Sequence, residues 1–329
     1  MRILSFVPCA LSVGALAFAI GGCASQGSSS FTAPLGTEIS QSRVPNGRKA
    51  WMRPESKSGD LLYVTDGCDG TCVLSYPSGK LVGSLNVGGF VNAGACADSQ
   101  GNVFISNYNS VVEYPHGKNS PVATFSLPGV SAAGCAIDPT TGSLAVVYQG
   151  SNTNIAIFPP GSNSPSLYES GLDSSTCAYD SYGNLFVAGL NGQTPQLAEL
   201  PSGDSQFRSI RISGNVGLPG QLQWANGRLN YESVNKRNAF VYQLSLSGSS
   251  ASVVGTTPIK GPAHVYYSWI YGNRILVPYS GHGANAQKLG IWKYPQGGKG
   301  LSSFKHFAGT DARLQSVVVS LDGTTLSRP

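Results

Sequence analysis

The chain has 329 residues, a net charge of +5, and 11% charged residues against about 25% in average soluble chains. Its Lys and Arg residues are dispersed rather than clustered among aromatics, which argues against a nucleic-acid groove. With 42 Gly and 20 Pro, the composition favours many short strands joined by tight turns.

Read in chain order, Met1-Arg2 supplies one positive charge, and residues 3–20 then carry none. The apolar run closes in Ile20-Gly21-Gly22-Cys23, followed by a polar Ser/Gly tract. A basic start, an apolar stretch and small residues before a cut describe a secretory signal. This ending resembles the lipobox of bacterial lipoproteins, in which small residues expose the backbone to the peptidase and the cysteine thiol receives diacylglycerol. The resemblance implies a signal peptide over 1–22, lipidation (palmitate among the acyl chains) at Cys23 and a location on the cell envelope, at the outer membrane if the cell has two. Each acyl methylene buried in the bilayer contributes about 0.8 kcal/mol, so a multiply acylated cysteine is a firm anchor. Two other readings of the same residues stand beside it. The run is near the lower limit for a spanning helix, and an ordinary signal peptidase would release a soluble protein.

Residues 23–58 are rich in Ser, Gly, Thr and Pro and read as a flexible linker, although Trp51-Met52 has the character of a segment that packs on the domain. From residue 59 to 325 one unit recurs. A first strand appears as LLYVTD, NVFISN, SLAVVY, NLFVAG, RLNYES and NRILVPY. A second appears as CVLSYPSG, SVVEYPHG, NIAIFPPG, PQLAELPSG, FVYQLSLSG and GIWKYPQG. The anchors Tyr76, Tyr114, Phe158, Leu200, Leu244 and Tyr294 recur about every 44 residues. Four short strands per such period describe a propeller blade. A third strand ends in Asp98, Asp138 and Asp180, with weaker copies in GQLQWA and HVYYSWIYG, and a last copy, QSVVVSLDG, lies near the C-terminus. The predicted fold is therefore all-β, a six-bladed β-propeller whose C-terminal Val317-Val318-Val319 strand completes the blade begun at Leu61 and leaves no open edge. The units, NLFVAG and STCAYD-SYG-NLFVAG among them, resemble the NHL or YVTN class of bacterial propeller repeats. That class implies architecture rather than activity, because one scaffold hosts lyases, lactonases, adaptors and sensors.

Asp98, Asp138 and Asp180 each open a turn (DSQGN, DPTTGS, DSYGN), where a carboxylate accepts backbone N–H bonds; a metal role for them is disfavoured. Glu113, Glu199 and Lys293 share one repeat position and are expected to face solvent. The mouth of the propeller is where ligands are expected, and Asp66, Asn107 and Tyr108, with Tyr279, His264 and His282, are its candidate residues. Asp69, Asp173, Asn109, Asn152 and Asn191 lie in the same class of loop. His264 and His282 fall on connections of one face, so a paired imidazole site is conceivable there. His116 and His306 are expected to have no role. Cys68 and Cys72, in CDGTC, flank a tight reversal and are expected to form a disulfide. Cys96, Cys135 and Cys177 are expected as small buried thiols of the inner strands, with a soft-metal site as the sharper alternative. No G-x-S-x-G, P-loop, H-E-x-x-H or Rossmann fingerprint occurs. No catalytic residue and no cofactor is therefore assigned. The reading is a membrane-anchored binding module for an unknown small molecule, glycan or envelope protein. The alternative is a metal-dependent lactonase- or lyase-like propeller with Ca²⁺ or a transition metal in its channel.

Overall fold

The structure is a computed structural model and describes residues 49–68, 70–87, 94–150, 153–234, 239–262, 264–280, 287–304, 307 and 314–323. In chain order, β1 (Trp51–Met52) and a 3-10 turn (Pro54–Lys57) lead into β2 (Leu61–Gly67), β3 (Gly70–Ser75) and β4 (Leu81–Leu85). Next come β5 (Ala95–Ala97), β6 (Val103–Ser106), β7 (Ser110–Tyr114) and β8 (Ala123–Ser126), then β9 (Cys135–Ile137), β10 (Leu144–Val147), β11 (Ile155–Phe158) and β12 (Ser166–Tyr168). They are followed by β13 (Asp173–Tyr179), β14 (Leu185–Asn191), β15 (Thr194–Leu200), β16 (Arg208–Ser213), β17 (Leu218–Ala225), β18 (Arg228–Val234), β19 (Ala239–Ser247) and β20 (Ser250–Lys260). The last are β21 (His264–Val265), β22 (Trp269–Tyr271), β23 (Arg274–Ser280), β24 (Gln287–Lys293), β25 (Gly298–Lys299), β26 (Ser302–Phe304) and β27 (Val317–Ser320).

Antiparallel meanders dominate, as the turn-rich sequence requires. β5 to β8 form one four-stranded sheet, β9 to β12 a second, and β21, β22, β23, β24 and β26 a third. The expectation of six separate sheets is corrected at one place. β16 pairs in parallel with β20, so the eight strands β13–β16 and β17–β20 merge into one sheet, made nine-stranded by β25, which pairs in parallel with the end of β20. Outer strands are where this happens because their outward N–H and C=O groups are otherwise left unpaired.

The expected closure is present. β27 pairs antiparallel with β2, Leu61 opposite Ser320 and Val64 opposite Val317, so the sheet runs β1-β4-β3-β2-β27. β1 is a fifth strand on the β4 edge, with Trp51 opposite Ser84. The ordered fold thus takes in Trp51–Met52 and the turn after it, inside the segment expected to be linker. Counted around the ring, each meander begins with the strand introduced above as the third, and these first strands, β5, β9, β13, β17, β22 and β27, are neighbours in that order, with β27 returning to β5. The repeat anchors Tyr114, Phe158, Leu200, Leu244 and Tyr294 are buried and Tyr76 is half-buried, which explains their recurrence. Apolar layers between meanders form the core. Val318 lies with Leu61, Val103 and Ile105, while Val317 and Val319 lie on the other side with Leu62, Val64 and Leu276.

Candidate functional site

The three repeated aspartates behave as turn residues. Asp180 Oδ1 accepts the N–H groups of Tyr182 (2.8 Å) and Asn184 (2.9 Å), and Oδ2 accepts the Asn184 amide at 2.8 Å. Asp98 makes the equivalent bonds with Gln100 and Asn102, and Asp138 with Thr140 and Thr141. All three lie between first and second strands, at the end of the ring opposite the proposed mouth. Glu113 and Glu199 are half-buried rather than solvent-facing, and burial raises both carboxyl pKa values, while Lys293 is exposed. The same repeat position therefore takes either charge at the half-exposed flank of a sheet.

Each described mouth candidate has its own local setting. Asp66 sits in the left-handed region (φ 58°) at the bulge where β2 turns toward β3. Asn107 donates to Val87 O at 3.2 Å and accepts the Tyr108 N–H at 2.6 Å, so its amide is used to fix a loop. Tyr108 is exposed at the tip of that loop. Tyr279 packs edge-on against Trp292, ring centroids 5.7 Å apart, which places its ring within its own blade. His264 is exposed in β21, paired through its main chain with Ser280. His282, His306, Asp69, Asn152 and Cys23, with the signal peptide and most of the linker, lie outside the described residues. Among the described residues no three His, Cys, Asp or Glu side chains come together as a metal cluster.

The cysteines need one correction. Cys68–Cys72 is a disulfide, as its spacing implies, with Cα atoms 5.2 Å apart. Cys96 and Cys135, expected to be free, are also joined, across neighbouring first strands β5 and β9, with Cα atoms 5.7 Å apart. Cys96 is one place off from Cys135 in the repeat, whereas Cys135 and Cys177 match, so the contact of β5 with β9 and not repeat equivalence brings the bonded pair within reach. Cys177 is a buried free thiol, its pKa pushed up by burial. Its Sγ lies 3.9 Å from both Gly134 O and Ala145 O, in the next layer along.

His116 also has a place. Its Nδ1 lies 2.6 Å from Ser320 Oγ, whose hydroxyl donates to Gly101 O at 2.5 Å. Gly117 N–H donates to Tyr63 OH, and Ser56 Oγ donates to Gly117 O. The turn after β7 therefore clasps the closing strand. Desolvation lowers the His116 pKa, opposed by the negative charges of Asp322 and Asp60.

The main surprise is Glu232, near the end of β18, with 2% of its surface exposed. Its Oε2 accepts Gln221 N–H and Ser268 N–H, both at 3.0 Å, bridging β17 and the segment before β22. Burial lifts its carboxyl pKa from 4.5 to about 7, against the lowering effect of those two N–H groups and of a hydrogen bond from the Ser268 side chain. Its Oε1 has no partner among the described residues, and neither do Tyr267 OH and Gln315 Oε1, both buried. Tyr267 N–H donates to Gln315 O at 3.0 Å. The charge of Glu232 raises the Tyr267 pKa further, after burial. The repeat carries the signal that finds this residue. In the four copies before it, the place of Glu232 holds Thr65, Ser106, Val147 and Ala188, all small and uncharged.

No protein-family profile and no curated protein sequence matches the chain. Solved structures do, and they define the class as a β-propeller fold. One is a chain from the crystal structure of a nidogen/laminin complex, 15% identical, TM-score 0.64, covering 80% of this chain and 99% of that one. Another is a protein of unknown function from Bacteroides caccae, 15% identical, TM-score 0.61, covering 80% of this chain and 99% of that one. With 1030 solved chains matching, the likeness identifies a widely used scaffold and carries the fold alone.

Proposed function

We propose that the chain is an exported lipoprotein acylated at Cys23, whose propeller counts six blades of the NHL or YVTN type and serves as a binding module. The observation that carries this reading is the ring itself. Six first strands succeed one another around it, and their second strands end in loops gathered on one face. Counting β13–β16 and β17–β20 as two blades joined at their outer edges gives the six. The ligand is a small molecule, glycan or protein held at that mouth, where Tyr108 is exposed beside Asn107. The similar chain from the nidogen/laminin complex comes from a structure of two proteins together, which favours a protein partner. Two disulfides accord with an oxidising, exported location.

Mass spectrometry of the chain isolated from the cell envelope tests the anchor. An acylated Cys23 at the mature N-terminus is expected; an intact Met1, or a terminus lacking Cys23, refutes it. Thermal-shift screening against metabolites, glycans and envelope peptides tests the binding mouth, with Tyr108→Ala expected to abolish any hit while leaving the unliganded midpoint unchanged. Hydrolytic turnover that disappears with a mouth substitution replaces the binding reading with a catalytic one.

A further inference from the structure

We infer that the edge of the propeller formed by β1 is a membrane-facing foot. There β1, the 3-10 turn after it and the turn after β7 seat on an anionic lipid surface through Trp51 and a group of Lys and Arg side chains. The inference rests on the proposed anchor at Cys23, which brings this edge to a bilayer.

The fold gathers the patch from segments that are far apart in a chain with few charges. Lys49, Arg53 and Lys57 are exposed along β1 and the turn. Arg53 N–H donates to Val82 O at 2.8 Å, which sets the turn beside the β3–β4 hairpin. Lys80, from that hairpin, pairs with Glu55 at 3.3 Å. A main-chain hydrogen bond, then Lys80 and Arg53, lower the Glu55 pKa, so both cations stand close to that carboxylate. The turn after β7 joins them from the next meander. Ser56 Oγ donates to Gly117 O at 3.2 Å and the Asn119 amide donates to Ala50 O at 3.4 Å, with Lys118 exposed between the two contacts. Glu55 is the acid set among these cations; Asp60 and Asp322, beyond the turn, are engaged by the Tyr271 hydroxyl and the Gly59 N–H.

Trp51 supplies the apolar part. Its neighbour Met52 is half-buried against Gly83, whereas the Trp51 ring stays 38% exposed, with Arg53 Cζ 5.9 Å from its centroid. A ring at headgroup depth beside cations that meet anionic headgroups is the combination a lipid surface selects. Residues 24–48 separate Cys23 from this edge, so an acylated Cys23 holds the patch within about 90 Å of the bilayer even with that stretch fully extended. Tethering turns weak surface binding into an intramolecular step. The turn after β7 lies at the same end of the ring as the Asp98 turn, since Tyr114 and Ala97 both stand opposite Val103. Seating that end on the membrane points the mouth away from it.

The test uses the full chain as isolated from the cell envelope, in vesicles of brominated phosphatidylcholine alone or with an equal share of phosphatidylglycerol. Bromine on the acyl chains quenches a tryptophan that reaches them. Quenching about twofold stronger with phosphatidylglycerol is expected. That increment is expected to vanish in Trp51→Phe and in the triple variant Arg53→Gln, Lys57→Gln, Lys118→Gln. It is also expected to vanish near 1 M salt, where the screening length is about 3 Å, a measurement that needs no variant to fold. Flotation reads the anchor separately: a chain that fails to float with phosphatidylcholine refutes the anchor, while salt-sensitive flotation with phosphatidylglycerol still supports the patch. Equal quenching with both lipids, an increment that survives charge removal, salt or Trp51→Phe, or a preference for soluble polyphosphate over the charged vesicles overturns the inference.

Discussion

At the scale of single residues, a buried carboxyl that keeps its proton stabilises the fold only while it is protonated. Glu232 has its carboxyl pKa raised from 4.5 to about 7. Its share of the stability is therefore complete below pH 4.5 and is lost as pH rises through 7. The wild type is expected to lose roughly 3 kcal/mol relative to Glu232→Gln between pH 4.5 and pH 8. Urea unfolding of both proteins at the two pH values measures it, and parallel pH profiles would contradict the assignment. The comparison with the variant matters because His116 acts in the opposite sense. Its lowered pKa favours the neutral ring, so its contribution fails as pH falls below the ordinary imidazole range. Legibility differed sharply at this scale. Asp98, Asp138 and Asp180 could be read as turn residues because their bonds reach only two to four residues ahead. Glu232 could not, because its partner Ser268 lies 36 residues away, in the segment before β22.

At the scale of elements, the two disulfides do different work. Cys68–Cys72 closes a separation of 4 residues inside one hairpin, and Cys96–Cys135 closes 39 between neighbouring first strands. Loop-closure entropy assigns about 2 kcal/mol to the first and about 4 kcal/mol to the second. Replacing Cys96 and Cys135 together by Ser is expected to lower stability about twice as much as the same change at Cys68 and Cys72. Denaturant unfolding of the two double variants decides it, and equal losses would count against the cross-strand bond as a constraint on the ring. The spacing of CDGTC made the first pair readable, since three residues suffice to reverse a strand. The second pair depends on how closely β5 and β9 stand, and the repeat aligns Cys135 with Cys177 while leaving Cys96 one place off.

At the scale of the whole molecule, closure is the cooperative step. Val317, Val318 and Val319 are each at most 3% exposed, and burying three such side chains contributes about 5–9 kcal/mol. That is comparable with the entire stability of an ordinary domain, about 5–15 kcal/mol. Ending the chain before Leu314 is therefore expected to abolish a single cooperative thermal transition, followed by circular dichroism. A truncated protein that unfolds as sharply as the full chain would show that β27 does not seal the ring. The all-β class, the repeat, its buried anchors and the pairing of the C-terminal strand with Leu61–Val64 were determined by the sequence alone, because each follows from local turn chemistry and a short apolar pattern repeated many times. The merging of two meanders through β16 and β20, the Cys96–Cys135 bond, the His116 clasp and the buried carboxyl of Glu232 were decided only by the tertiary structure. They arise from the distances between strands far apart in the chain, and a periodic pattern specifies which residues are equivalent but not which of them meet.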